Sequence, residues 1–211
     1  MFPPRWFIPL DVLFQLFTAV VALGIGLHAL RGYLWIKERI LYALFLAFML
    51  LSAGLFVNGL TLAYAMSAGL NLGRKVALPV EVGYWAYYLL GILALSILAY
   101  AYLHRLRERN LALAAGGAAA ATSSIVTYGP ALELALSALL FIILAAQLAH
   151  LQVRRTRTAV LVALGFFLLL ASHVLALVSQ IGDLVYVASR VVQLGGFLTL
   201  LLALYHPRRR G

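Results

Sequence analysis

The chain has 211 residues, of which 65% are hydrophobic and 10% charged, against roughly 45–50% apolar and about 25% charged in soluble domains. That balance excludes a soluble globular protein and predicts an all-α, polytopic membrane bundle, a single transmembrane domain over 1–211 with no room for a separate catalytic domain, because each crossing of a bilayer core uses about 20 apolar residues. The absence of cysteine excludes disulfides, thiolate metal sites, iron–sulfur clusters and thiol catalysis.

The opening MFPPRWFIPLDVLFQLF has one arginine and no small-residue cleavage site. It reads as the approach to a first span at 10–31, with Asp11 as an N-terminal cap, and not as a cleaved signal peptide. Spans at 40–64 and 82–104 follow. A fourth, 110–128, carries Gly116, Gly117 and a run of alanines, so it belongs inside the bundle, where small residues let backbones approach. Spans at 131–152, 158–179 and 184–206 complete seven transmembrane helices. The prolines, at 3, 4, 9, 79, 130 and 207, are expected at span ends or in loops, where the missing N–H costs little.

Twelve of the 16 basic residues fall on one side: Arg31, Lys37, Arg39, Arg105, Arg107, Arg109, Arg154, Arg155, Arg157, Arg208, Arg209 and Arg210. By the positive-inside rule that side is cytoplasmic, the N-terminus outside and the C-terminus inside. Each basic cluster abuts a helix end, which suits anionic lipid headgroups and no nucleic acid. Trp6, Tyr84, Trp85, Tyr87, Tyr88, Tyr128 and Tyr186 fall at the outer boundary, and Tyr33, Trp35, Tyr42, Tyr100, Tyr102 and Tyr205 at the inner one, as two aromatic belts. A prokaryotic cell membrane is the expected location.

The second and sixth spans align at an offset of 118, matching Arg39 to Arg157 and Phe48 to Phe166, and the third and seventh at 104, matching Leu90-Gly91 to Leu194-Gly195. The 14-residue difference is assigned to an outer loop around Asn71–Pro79. This suggests a parallel three plus one plus three repeat, with halves 10–104 and 131–206 and 110–128 as linker helix. The plan resembles microbial rhodopsins and SWEET-type sugar transporters in topology alone: the only lysines, Lys37 and Lys75, lie in loops, and no Pro-Gln dipeptide occurs.

Titratable groups within a span are functional candidates. Asp183, Tyr186, Arg190 and Gln193 follow an i, i+3, i+7, i+10 spacing and form one polar stripe. With Glu133, and with Gln180 and Asn58 as lining, they would make an outward-open polar pocket anchored by Arg190, about 10 Å below the outer end of its helix. The competing reading makes Asp183 the cap of the last helix and lets Arg190 snorkel outward to pair with it or with Glu133. His173 offers a proton relay, a metal or haem ligand, or a hydrogen bond to a neighbouring helix. His28, His104, His150 and His206 sit near the cytoplasmic helix ends, where the macrodipole favours an imidazolium; a bis-histidine b-haem would rest on pairs among these four, since His173 lies roughly 22 Å from their layer. Gly116-Gly117 and Gly195-Gly196 read as helix-packing contacts.

No catalytic triad, paired carboxylates, metal-ligand spacing or phosphate-cradling loop occurs, so neither an enzyme nor a cofactor is expected. The leading expectation is a non-catalytic subunit working through helix contacts with other membrane subunits in a respiratory or signalling complex. The alternatives are a small-solute or anion carrier or channel using Arg190, and a b-type cytochrome or quinone-interacting redox subunit.

Overall fold

The computed structural model describes residues 6–68, 74–107, 129–153 and 156–205. Among them are six helices long and apolar enough to cross a membrane: α1 (Ile8–Ile36), α2 (Arg39–Ser67), α3 (Arg74–Arg107), α4 (Gly129–Val153), α5 (Arg157–Val178) and α6 (Asp183–Tyr205). A 3-10 turn, Ser179–Ile181, joins α5 to α6. The span expected at 110–128, with its Gly116 and Gly117, lies outside the described residues.

Local chemistry sets the ends of the helices. Lys37 closes α1 at φ 59°, in the left-handed region, with its N–H on Tyr33 O. Its ammonium lies 5.6 Å from the Tyr33 ring centre. That turn lets α2 start two residues later, and Glu38 meets Arg105 of α3 at 3.8 Å across the same end. Thr156 caps α5 by accepting from Ala159 N. Two expectations are corrected. Asp11 does not cap α1, because Phe7 occupies that position and Asp11 is fully buried one turn inside. Pro79 lies inside α3 and not in a loop; the helix begins at Arg74, so the loop meant to absorb the 14-residue repeat offset is largely helical.

Each helix packs on the next, and α6 closes on α1 to complete a ring. Contacts fix the directions. Gln15 meets Asn58, and Gly26 faces Phe48, so α1 and α2 are antiparallel. Gly54 faces Tyr87 and Gly91 approaches Leu51, so α2 and α3 are antiparallel too. Gly165 faces Leu200 and Gly196 faces Leu169 in the antiparallel pair α5 and α6. Two seams run parallel instead. Tyr88 meets Glu133 and Gly91 meets Leu136 between α3 and α4; Asp11 meets Tyr186 and His28 packs against Tyr205 between α1 and α6.

Large apolar side chains fill the interior, with Phe48 edge-on to Phe197 and Tyr102 edge-on to Phe166. The outward face is apolar as well: Leu13, Phe17, Val20, Phe141, Phe167 and Leu202 are all more than half exposed. Helices apolar on both sides suit lipid outside and packing inside, and the fold is a multi-pass, membrane-spanning helical bundle.

Candidate functional site

Most of the polar residues in this apolar interior gather toward the end of the bundle where α1, α3, α4 and α6 begin; Gln147, bonded to Tyr102, is buried nearer the other end. Asp11, in the first turn of α1, points inward with none of its surface exposed. Gln15, one turn on, donates Nε2–H to Asp11 Oδ2 (2.9 Å) and accepts at Oε1 from Asn58 of α2 (2.8 Å). Tyr186 of α6 donates its hydroxyl to the same Asp11 Oδ2 (2.9 Å).

Arg190 lies one turn below Tyr186, and its side chain is 18% exposed. Its Nε and Nη2 donate to Tyr186 Oη (3.2 and 3.0 Å), and Nη1 donates to Gln193 Oε1 (3.1 Å). Gln193 passes the link to α3 through Nε2–H to Tyr87 Oη (3.1 Å). Arg190 Nε also stands 3.1 Å from Asp11 Oδ1, yet Oδ1 accepts no hydrogen bond. The Nε–H is aimed at the tyrosine, so Oδ1 is held by charge without a directed proton.

The second charged centre joins α3, α4 and α5. His173 Nδ1 lies 2.6 Å from Glu133 Oε2, and Tyr88 donates its hydroxyl to Glu133 Oε1. The His173 and Glu133 side chains are 10% and 14% exposed. The Tyr87 and Tyr88 rings meet at 5.1 Å, so the two centres touch through adjacent residues of one helix. Between them lies a cavity of about 20 Å³, lined at its polar end by Tyr87, His173 and Gln193 and elsewhere by leucines, Gly91 and Phe197. That space suits about one water beside three polar side chains.

The expected stripe is therefore brought together in part. Tyr186, Arg190 and Gln193 line up, and Asn58 joins them. Asp183 is exposed at the first residue of α6 and stands apart. The partner of Arg190 is Asp11, not Asp183 or Glu133; an arginine expected to snorkel outward finds a fully buried carboxylate on the neighbouring helix instead. Glu133 and His173 pair with each other. Asp11, Gln15, Tyr87 and Tyr88 were not expected here. Tyr87 and Tyr88 are buried, so they belong to the interior and not to the aromatic belt. The one available signal was Asp11 and Gln15 at i, i+4 spacing on one helix face.

Among the histidines expected near the other end, the His28 ring packs against Tyr205 at 4.4 Å, tilted by 38°, and His104 lies 5.9 Å from Tyr100. His150 stands in the last turn of α4. His206 and the Gln180 side chain lie outside what is described. No group of three or more His, Asp or Glu side chains fit to hold a metal occurs among the described residues. No protein-family model, curated protein or solved structure matches the chain.

Proposed function

We propose that this chain is a small-solute carrier working through the polar cluster near the end of the bundle where α1, α3, α4 and α6 begin. The observation that carries the reading is that all six described spans place a buried or nearly buried polar side chain in it: Asp11 and Gln15 (α1), Asn58 (α2), Tyr87 and Tyr88 (α3), Glu133 (α4), His173 (α5), and Tyr186, Arg190 and Gln193 (α6). Charges at that depth are costly, and they mark solute or ion paths in membrane proteins. A path needs polar groups on several helices, and the cluster supplies them.

Its charge balance favours a neutral or cationic solute over an anion. Asp11 offsets Arg190, and Glu133 adds a further negative charge. The cavity of about 20 Å³ beside the cluster has room for about one water, so passage of a larger solute would require rearrangement. The two parallel seams, α3 with α4 and α1 with α6, divide the ring into two three-helix units of the same sense, and rocking of one unit against the other is the general way such carriers open. The same division supports an internal duplication.

Seven crossings, an outside N-terminus and a cytoplasmic C-terminus complete the reading. Because α3 and α4 run parallel, α3 ends and α4 begins at opposite ends of the bundle. The expected crossing at 110–128, which lies outside the described residues, would join those two ends. The subunit reading ranks second, since it gives the six-helix polar cluster no task; the redox reading ranks third.

In proteoliposomes offered methylammonium, glycine and glucose as probe solutes, the protein is expected to accumulate at least one. Gln193→Leu, which cuts the link between Arg190 and Tyr87, should lower that uptake about tenfold, the worth of roughly 1.4 kcal/mol, without a matching loss of melting temperature. Failure with all three probes would favour the subunit reading, in which mild-detergent purification from native membranes brings other subunits along.

A further inference from the structure

Two carboxylates occupy matching places in the two three-helix units: Asp11 is the fourth residue of α1, and Glu133 the fifth of α4. Each meets the last helix of the other unit, Asp11 through Tyr186 of α6 and Glu133 through Tyr88 of α3. Their counter-ions differ in kind. Asp11 faces a guanidinium, which keeps its proton in proteins. Glu133 faces an imidazole, whose charge follows the proton supply.

We propose that Glu133, His173 and Tyr88 form a reversible proton-binding site facing the central cavity. In the empty form His173 is neutral, its Nδ1–H donates to Glu133 Oε2, the Tyr88 hydroxyl donates to Oε1, and the site carries one negative charge. The incoming proton settles on His173 Nε2 while Nδ1–H stays on Glu133. The product is an imidazolium–carboxylate pair of zero net charge. One proton is taken up, one charge is neutralised, and no bond between heavy atoms is made or broken.

The surroundings fit this step. Tyr84, Tyr87 and Tyr88 face the site from α3 and Arg190 from α6, with Tyr186 and Asp11 beyond Arg190. The Arg190 and Asp11 charges cancel, so among the described residues of the cluster the remaining charge is that of Glu133 while His173 is neutral, and an unpaired carboxylate in a low-dielectric interior is costly. His173 also lines the cavity beside Tyr87 and Gln193, where one water can hand over the proton. The proposal deepens the carrier reading and rests on it only for the use of the proton, as the ion coupled to solute movement. Proton binding itself is measured with no solute present.

Histidine-selective ¹⁵N labelling of the full chain in lipid nanodiscs reads the ring state directly, and His173→Gln identifies the relevant resonance by its disappearance. Between about pH 9 and pH 4, a window that brackets the imidazole range, this resonance should pass from neutral imidazole to imidazolium. Glu133→Gln should lower the proton affinity of His173 roughly tenfold or more, by removing the opposite charge. If that variant does not fold, Tyr88→Phe replaces it; loss of the hydroxyl donor leaves the carboxylate leaning on the imidazolium, and proton affinity should rise. A His173 resonance fixed in one state across the window, or a midpoint unmoved in the variant that folds, overturns the proposal. Normal His173 titration without uptake of any probe solute would instead remove the carrier reading and leave the proton site standing.

Discussion

Arg190→Gln would leave the Asp11 carboxylate, with none of its surface exposed, enclosed without a counter-ion. Breaking such a pair from one side costs about 3–5 kcal/mol. Asp11→Asn should cost less, because the 18% exposed guanidinium can swing toward headgroups. Chemical unfolding in mild detergent should therefore rank Arg190→Gln below Asp11→Asn, with the double variant recovering part of the loss. Additive losses would mean that the two residues are not coupled. Periodicity made Tyr186, Arg190 and Gln193 legible as one stripe. It did not reveal Asp11, 175 positions from the Tyr186 that binds it, because a residue one turn into a helix looks like a cap until the facing helix is known. Tyr87 and Tyr88 were hidden for a related reason, since hydropathy gives a tyrosine's depth but not whether it faces lipid or the bundle interior. The histidines lead to a further expectation at this scale. His173 Nδ1 is engaged by Glu133 and the His28 ring packs on Tyr205, so the purified protein should be colourless, and a Soret band lost on replacing His28 or His150 would promote the haem reading.

Between helices, closeness is set by particular glycines, and adjacent ones need not act alike. A Cβ on Gly196 would stand 3.0 Å from Leu169 Cγ and 3.1 Å from the Gly165 carbonyl oxygen, whereas one on Gly195 meets nothing within 4 Å. The Gly195-Gly196 dipeptide, expected as packing contacts, thus contributes one contact and one open position, as suits neighbours about 100° apart on a helix. Gly165→Ala, whose Cβ would lie 2.6 Å from Leu200 Cγ, should separate α5 from α6 and cost about 1–3 kcal/mol by overpacking. Gly195→Ala should be neutral or slightly stabilising through helix propensity. Equal melting temperatures for the two variants would show that the α5–α6 contact is looser than described. The α2–α3 crossing is tighter still, with Thr61 Oγ1 only 1.9 Å from where a Gly83 Cβ would be. Hydropathy located these spans to within a few residues at most ends. It missed the start of α3, where Arg74, Lys75 and Pro79 lower the apolar average although the backbone is already helical.

At the scale of the whole molecule, the parallel seams tie the polar cluster to the topology. Asp11 and Glu133 each sit at a seam, so a movement of one three-helix unit against the other changes the surroundings of both carboxylates together. That link requires α1, α3, α4 and α6 to begin on the same side of the membrane. The chain has no cysteine, so single cysteines can be read without background. Ile181, 79% exposed between α5 and α6, and Ser67, exposed at the end of α2, mark the end nearest the cluster. Lys37 and Arg105 mark the other, where the basic residues concentrate. With the basic side cytoplasmic, cysteines at 181 and 67 should react with an impermeant maleimide in intact cells, and cysteines at 37 and 105 only after permeabilisation. The reverse pattern would invert the orientation while keeping the topology. Reaction of 67 and 181 from opposite sides would break the parallel arrangement of α3 and α4, and with it the proposed rocking of two like units.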